Sequence, residues 1–266
     1  MTSKKIQSEV FELYHELGIT EPAEIDLEAI AFHKQAVVKQ KPLSGCEARI
    51  IGAGDRAIIT VNSKSDPERQ KFSIGHELGH WFKDRGKIGN LCAASDMELG
   101  EKKQKPRESI ANNFASELLM PHFLMRDVIH GSNFNSEVAS VVARTFDCSF
   151  MASLRRTIKM DYHMGFMACY KKCGTRRYFE KHSQLPGVFF PPRQIPNGSA
   201  IQRLIGGERL IGPTLVDGDV WCREGLTSGS VVFEHAFHYH EDEFLTLVWW
   251  QDEEPIWQFS EKVGAF

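Results

Sequence analysis

The sequence predicts an α+β fold in two parts, and three observations carry that prediction. Residues 4–18, 26–32, 65–84 and 106–120 place apolar side chains at helical spacing. Residues 36–62 between them read as short β-type runs. From residue 161 the chain changes to longer β-type runs punctuated by Pro and Gly. The expected plan is a mainly helical first domain with a small antiparallel sheet (1–130), a helix-turn-helix-like segment (131–160), and a second α+β domain (161–266). A chain of 266 residues is long enough to build two cores. A net charge of −3 supplies no global basic field for nucleic acid. No apolar run approaches the ~20 residues that cross a bilayer. The lysines at 4 and 5 have no apolar core behind them, so no secretory signal is expected. The six cysteines show no framework spacing, and cytosolic free thiols are expected.

Taken in order, residues 4–18 form the first expected helix, with Ile6, Val10, Phe11, Tyr14 and Leu17 on one side and Gly18 at its end. A shorter helix follows over 26–32, with Asp26 as its cap. Strands are expected at 36–39, 48–51 and 57–62, the last two joined as a hairpin around Gly52, Gly54 and Asp55. An edge of this sheet offers a place for an extended peptide to pair. Ser65 or Asp66 then caps a helix that carries Pro67 in its first turn and runs to about Asp84. The polar stretch 90–105 is expected to be a surface loop, with a lid over the site as the alternative.

Within that helix lies His76-Glu77-Leu78-Gly79-His80. Positions four apart on a helix stand one above the other, so the two imidazoles share a face, as a tetrahedral metal requires. Glu77 adjoins the first imidazole and suits a general base toward water. The bland alternative is a surface helix with two ordinary histidines. Against it stand the apolar flanks Phe72, Ile74, Leu78, Trp81 and Phe82. Gly75 and Gly79 each cost a helix about 1 kcal/mol against Ala. A buried helix that tolerates this implies close approach by another backbone or a substrate.

The next expected helix runs from Pro106 to Met120 and is stopped by Pro121. Glu108, Asn112 and Ala115 share one stripe of it. Two histidines leave a catalytic zinc one protein ligand short. Glu108 is the favoured third ligand. Asn112, one turn on, is placed to fix a histidine ring by a hydrogen bond. Glu117 is the competing acid, expected to face solvent.

His76-Glu77-Leu78-Gly79-His80, followed by Glu108, Ala111-Asn112, Phe114-Ala115 and Leu118-Leu119-Met120-Pro121, resembles the ImmA/IrrE family of metallopeptidases. Ile25–Ala31, Pro42–Gly45 and Val61-Asn62 resemble it too, so the likeness spans about residues 5–160. The resemblance implies a zincin-like, gluzincin-type peptidase domain with zinc as cofactor and manganese as the alternative. It implies His76, His80 and Glu108 as metal ligands and Glu77 as catalytic base. It further implies a helix-turn-helix transcriptional repressor as substrate, in a stress response or in regulation of a phage, mobile element or toxin–antitoxin pair. Many members carry an acid directly before the Ala-Asn pair; here that position is Ile110, which leaves Glu108 as the ligand.

Residues 137–149 and 150–159 read as the two helices of the helix-turn-helix, with Ser149 capping the second. A reader of DNA needs base-contacting polar residues at that second helix's start. Phe150, Met151 and Ala152 stand there instead, so direct DNA binding is not expected. Beyond 161, strands are expected at 164–170, 230–239 and 243–250 and a helix over 199–205. This region resembles the C-terminal part of longer family members, which in some is GAF-like and sensory. His235, His238 and His240 read as surface histidines rather than ligands, and Cys169 and Cys173 lack a second pair to complete a metal site. The function expected is a cytoplasmic zinc endopeptidase with a protein substrate. The alternative is a non-catalytic, zinc-containing DNA-binding regulator. An open coordination position beside Glu77 separates the two.

Overall fold

The computed structural model describes residues 2–85, 90–92, 106–132, 134–222, 230–254 and 256–257. The fold is α+β with two sheets. The chain forms two compact units, one of Met1–His130 with Val141–Ser153 and one of Gly131–Ser140 with Leu154–Phe266. No helix among the described residues is long and apolar enough to cross a membrane.

The first unit opens with α1 (Ser3–Leu17), which buries Ile6, Val10, Leu13 and Tyr14 and ends at Gly18, whose φ of 69° suits glycine. Phe11, expected in the buried stripe, is 51% exposed and meets Phe123 edge-on. In α2 (Leu27–His33) the Asp26 carboxylate accepts from the Glu28 and Ala29 amides at 2.9 and 3.1 Å. A cap of this kind is worth about 1 kcal/mol.

Four strands follow: β1 (Ala36–Lys41), β2 (Ala48–Ala53), β3 (Arg56–Asn62) and β4 (Asn90–Cys92), in the order β1-β3-β2-β4. The expected antiparallel sheet is in fact mixed. β2 pairs antiparallel with β3 and β4, whereas β1 runs parallel to β3. The cause is the connectivity. The tight turn at Gly54-Asp55, with Gly54 at φ 58°, makes β2 and β3 an antiparallel hairpin. β1 takes the free edge of β3, and residues 42–47 carry the chain past the end of β3 to β2. β1 therefore shares the direction of β3. β4 occupies the start of the expected polar loop, and the remainder of that loop, 93–105, lies outside the described residues.

The helix α3 (Pro67–Asp84) lies against β2 and β3, on the face that buries Ile50, Ile59 and Val61. Neither Ser65 nor Asp66 caps it with a side chain. Ser65 Oγ donates to Glu47 at 2.6 Å instead, and Gln70 Nε2 donates back to the Ser65 carbonyl at 2.7 Å. Next come α4 (Pro106–Leu119) and α5 (His122–Ile129). α5 carries no expectation from the sequence, because it is short and starts directly after Pro121. The segment 131–160 holds α6 (Ser136–Phe146) and α7 (Phe150–Lys159), divided between the two units. Ser149 Oγ accepts from the Ala152 amide at 3.3 Å, the expected cap. α7 is buried at every residue from Ser153 to Ile158.

The second unit is built on an antiparallel five-stranded sheet of order β6-β5-β9-β8-β7. Its strands are β5 (Gly165–Lys171), β6 (Arg176–Lys181), β7 (Thr214–Asp217), β8 (Val231–His240) and β9 (Glu243–Trp249). The helix α8 (Ala200–Ile205) rests on β8 and β9. The core holds Phe166, Phe189, Trp221 and Trp250. Within it Glu234 is fully buried. Its carboxylate accepts four hydrogen bonds, from the Ala200 and Ile201 amides at 2.8 Å and from Trp221 Nε1 and Thr246 Oγ1 at 2.9 Å. A buried acid is tolerated because every lone-pair direction is used.

Candidate metal centre

The centre rests on α3. Ile74, Leu78 and Trp81 are buried, and Trp81 Nε1 donates to the Lys34 carbonyl at 2.8 Å, tying the helix to the turn before β1. Lys71 pairs with Asp147 in the turn after α6. So anchored, α3 turns His76, Glu77 and His80 inward, each 2% exposed or less. One helical turn separates the two imidazoles, whose ring centroids are 4.8 Å apart.

The two glycines account for how closely α4 approaches. A Cβ on Gly79 would stand 3.0 Å from the Ala111 Cα, and one on Gly75 would stand 3.2 Å from the Ala115 Cα and Cβ. The approach is therefore made by a backbone, and Ala111 and Ala115 are its counterparts. Glu108 and Asn112 are carried on the same helix and reach α3 because the axes lie so near.

Three ligand atoms converge there. His76 Nε2 and His80 Nε2 are 3.1 Å apart, and each is 3.2 Å from Glu108 Oε2. Among the described residues no other group of three His, Cys, Asp or Glu side chains meets in this way. On the far side of the first ring, His76 Nδ1 lies 2.8 Å from Asn112 Oδ1. With Nδ1 donating to that oxygen, neutral His76 keeps its lone pair on Nε2, inside the triangle. Burial pushes the His76 pKa down and the neighbouring His80 adds to the effect, while Asn112 and Glu108 pull the other way; the net shift is downward. The neutral ring, the form that binds metal, is thereby favoured.

The donor set fits a divalent ion. Two imidazole nitrogens and a carboxylate oxygen repel one another unless a cation or proton lies between them. Donors 3.1–3.2 Å apart, each about 2.0–2.1 Å from a shared ion as zinc ligands are, subtend about 100° at that ion, close to the tetrahedral angle.

Two expectations, for Glu117 and His235, differ from what the structure shows. Glu117, expected to face solvent, is 3% exposed. It accepts from the His122 amide at 2.7 Å, satisfying a donor at the start of α5 that the turn at Pro121 would otherwise leave without an intrahelical acceptor. Nothing in the local sequence signals that use. Tyr14 donates its hydroxyl to the Leu118 carbonyl, and His33 pairs with Glu16 at 3.1 Å. Cys169 is buried and Cys173 exposed, each with its own neighbour. On β8 the pairing shifts register between His238 and His240, and His235, expected at the surface, is 9% exposed. His235 Nδ1 accepts from the Ser136 amide at 3.4 Å, and His238 Nε2 lies 3.1 Å from the Glu241 carbonyl.

The family model described as the IrrE N-terminal-like domain, peptidase M78, matches residues 24–157. Two curated proteins, each described as a radiation response metalloprotease IrrE, are similar. The one from Deinococcus deserti is 30% identical over 97 residues, which is 36% of this chain and 34% of that protein. The one from Deinococcus radiodurans is 27% identical over 97 residues, 36% of this chain and 29% of that protein. The matches thus span about a third of each curated relative's length. Among solved structures, a Mycobacterium tuberculosis transcriptional regulator superposes with a TM-score of 0.56 over 98% of this chain and 81% of that chain, at 12% identity. That likeness is one of fold.

Proposed function

The chain belongs to the ImmA/IrrE family of metallopeptidases, and on that premise we propose that it is a zinc-dependent endopeptidase whose substrate is a helix-turn-helix transcriptional repressor. The observation that carries the reading is the triangle of His76 Nε2, His80 Nε2 and Glu108 Oε2, with Glu77, fully buried, next to His76 on the same helix. In this reading His76, His80 and Glu108 hold the ion, and Asn112 fixes the His76 ring. The ion supplies Lewis acidity toward the scissile carbonyl and acidifies water. Glu77 takes the proton of the attacking water and delivers it to the departing amine nitrogen. The family origin of the triangle argues for zinc, with manganese the alternative. Unbonded Cys46, Cys148, Cys169, Cys173 and Cys222 support a cytoplasmic setting.

The reading divides the chain into a zincin-like peptidase domain (1–130), a helix-turn-helix-like segment (131–160) and a GAF-like sensory domain (161–266). Support for the last is the antiparallel sheet whose first and last strands lie side by side, with α8 on one face. The fold likeness to a transcriptional regulator favours a second reading, a non-catalytic DNA-binding regulator. The burial of α7 from Ser153 to Ile158 weighs against it, since a recognition helix must expose a face to the groove. Arg155 and Lys159 of that helix also lie 3.9 and 3.8 Å from Glu180.

The test is incubation with the helix-turn-helix protein encoded beside this chain, with and without chelator, and mass spectrometry of the products. Wild-type protein should yield two fragments that meet at one bond, and chelator should stop it. Glu77→Gln should keep the metal and lose cleavage by about 100-fold or more. Full cleavage by that variant refutes the mechanism. Tight, sequence-specific gel shift of promoter DNA with no proteolysis supports the regulator.

A further inference from the structure

The first unit's sheet has a second face, turned away from α3, and the side chains on it share an unusual pattern. Val37, Ile58 and Ile51 are exposed by 47, 42 and 52%. They are register partners, Val37 opposite Ile58 and Ile58 opposite Ile51, so they form one aliphatic row across three strands. By the alternation of strands, Lys39, Lys41, Arg49 and Arg56 project from the same face. Among the described residues none of these four makes an ion pair, whereas Lys34, Arg69, Lys71 and Arg85 of the same unit all do. Arg49 Nε is buried without a hydrogen-bond partner among them. No acid occupies an outward position on β1, β2 or β3. Of the acids that flank β2 in sequence, Glu47 accepts from Ser65 and lies beside Arg69, and Asp55, in the turn to β3, is 3.9 Å from Arg85.

We propose that this face docks an acidic amphipathic helix of a partner protein. The aliphatic row spans three strands, about 10 Å, which is about two turns of a helix laid along it. Rows of cations lie about 6–7 Å to either side along the strands, Arg56 on one and Lys39 with Arg49 on the other. A helix laid along the row meets β-branched side chains with its apolar stripe and cations with both flanks. Nucleic acid would gain nothing from a central aliphatic row, since its bases seek aromatic faces and its phosphates seek charge throughout. The surface is separate from the metal-binding triangle, so its use does not depend on catalysis.

The test uses a fluorescein-labelled peptide of about 18 residues, with Leu at helical spacing and Glu on both flanks. Fluorescence anisotropy compares it with a scrambled peptide of the same composition, with phosphatidylglycerol vesicles and with a DNA duplex. Wild-type protein should bind the amphipathic peptide at least about tenfold more tightly than the scrambled one, and salt should weaken binding. Ile58→Asp should lose about tenfold or more. The double variant Lys39→Glu/Arg49→Glu should lose a similar factor and gain affinity for the peptide with Lys in place of Glu. That charge exchange keeps the test decisive if Ile58→Asp does not fold. Equal binding of both peptides, binding unchanged in the double variant, or binding of vesicles or DNA in place of the peptide would overturn the proposal.

Discussion

Asn112 decides which nitrogen of His76 faces the triangle, through a 2.8 Å contact on the opposite side of the ring. Without it the imidazole is free to turn or to carry its proton on the inner nitrogen. Asn112→Ala should therefore weaken zinc affinity by about 10–100-fold, as losses of such supporting contacts do. Competition with a chromophoric chelator measures this, with circular dichroism as the check on folding. Unchanged affinity would mean that the ring is held by something else. This site was legible residue by residue because whole helical turns separate its members: His76 from His80, and Glu108 from Asn112. Spacing of that kind survives in sequence. The burial of Glu117 was not legible, since it follows from where the chain turns at Pro121 and leaves the His122 amide in need of an acceptor.

Between elements, the distance from α3 to α4 is set by Gly75 against Ala115 and Gly79 against Ala111. Gly79→Ala has two opposed effects. It favours the helix by about 1 kcal/mol, and it forces a methyl group to 3.0 Å from a backbone carbon, which costs roughly 1–3 kcal/mol. The steric cost should win or balance, and α4 should move outward with Glu108. Metal affinity is then expected to fall about tenfold while denaturant melts change little, as titration against a chromophoric chelator would show. Unchanged affinity in Gly79→Ala would show that the approach of α4 does not set the site. Strong local patterns made α1, α3, α4, β8 and β9 readable from the residues alone. β6 was hidden because Arg176–Lys181 is mostly polar with no alternation, its residues being mostly half-buried. The parallel pairing of β1 was hidden because strand partners are chosen across the chain rather than within a window.

Across the whole molecule, His76, His163 and His235 all have pKa values below the ordinary imidazole 6.5, and burial is the leading cause for each. The unfolded chain therefore binds protons that the native one refuses. The stability at stake is fully present above pH 6.5 and is lost as pH falls through the lowered native values. Thermal melts of the metal-free protein between pH 8 and 5 should show a falling midpoint below about pH 6.5. Bound metal should be released over the same range, because protons and the ion compete for the same nitrogens. A midpoint that rises on acidification would contradict this account.

The parallel partnership of β1 with β3 also bears on how the chain assembles. The β2–β3 hairpin closes across a tight turn, an event of microseconds. β1 is synthesised earlier yet has no neighbour until that hairpin stands, and it must then dock with residues 42–47 looped behind it. Among the described residues the strand recruited last is bound along one side only, and it should be the first to let go. Native-state hydrogen exchange should find the amides of Val37–Lys41 opening at lower denaturant than those of Ile58–Val61.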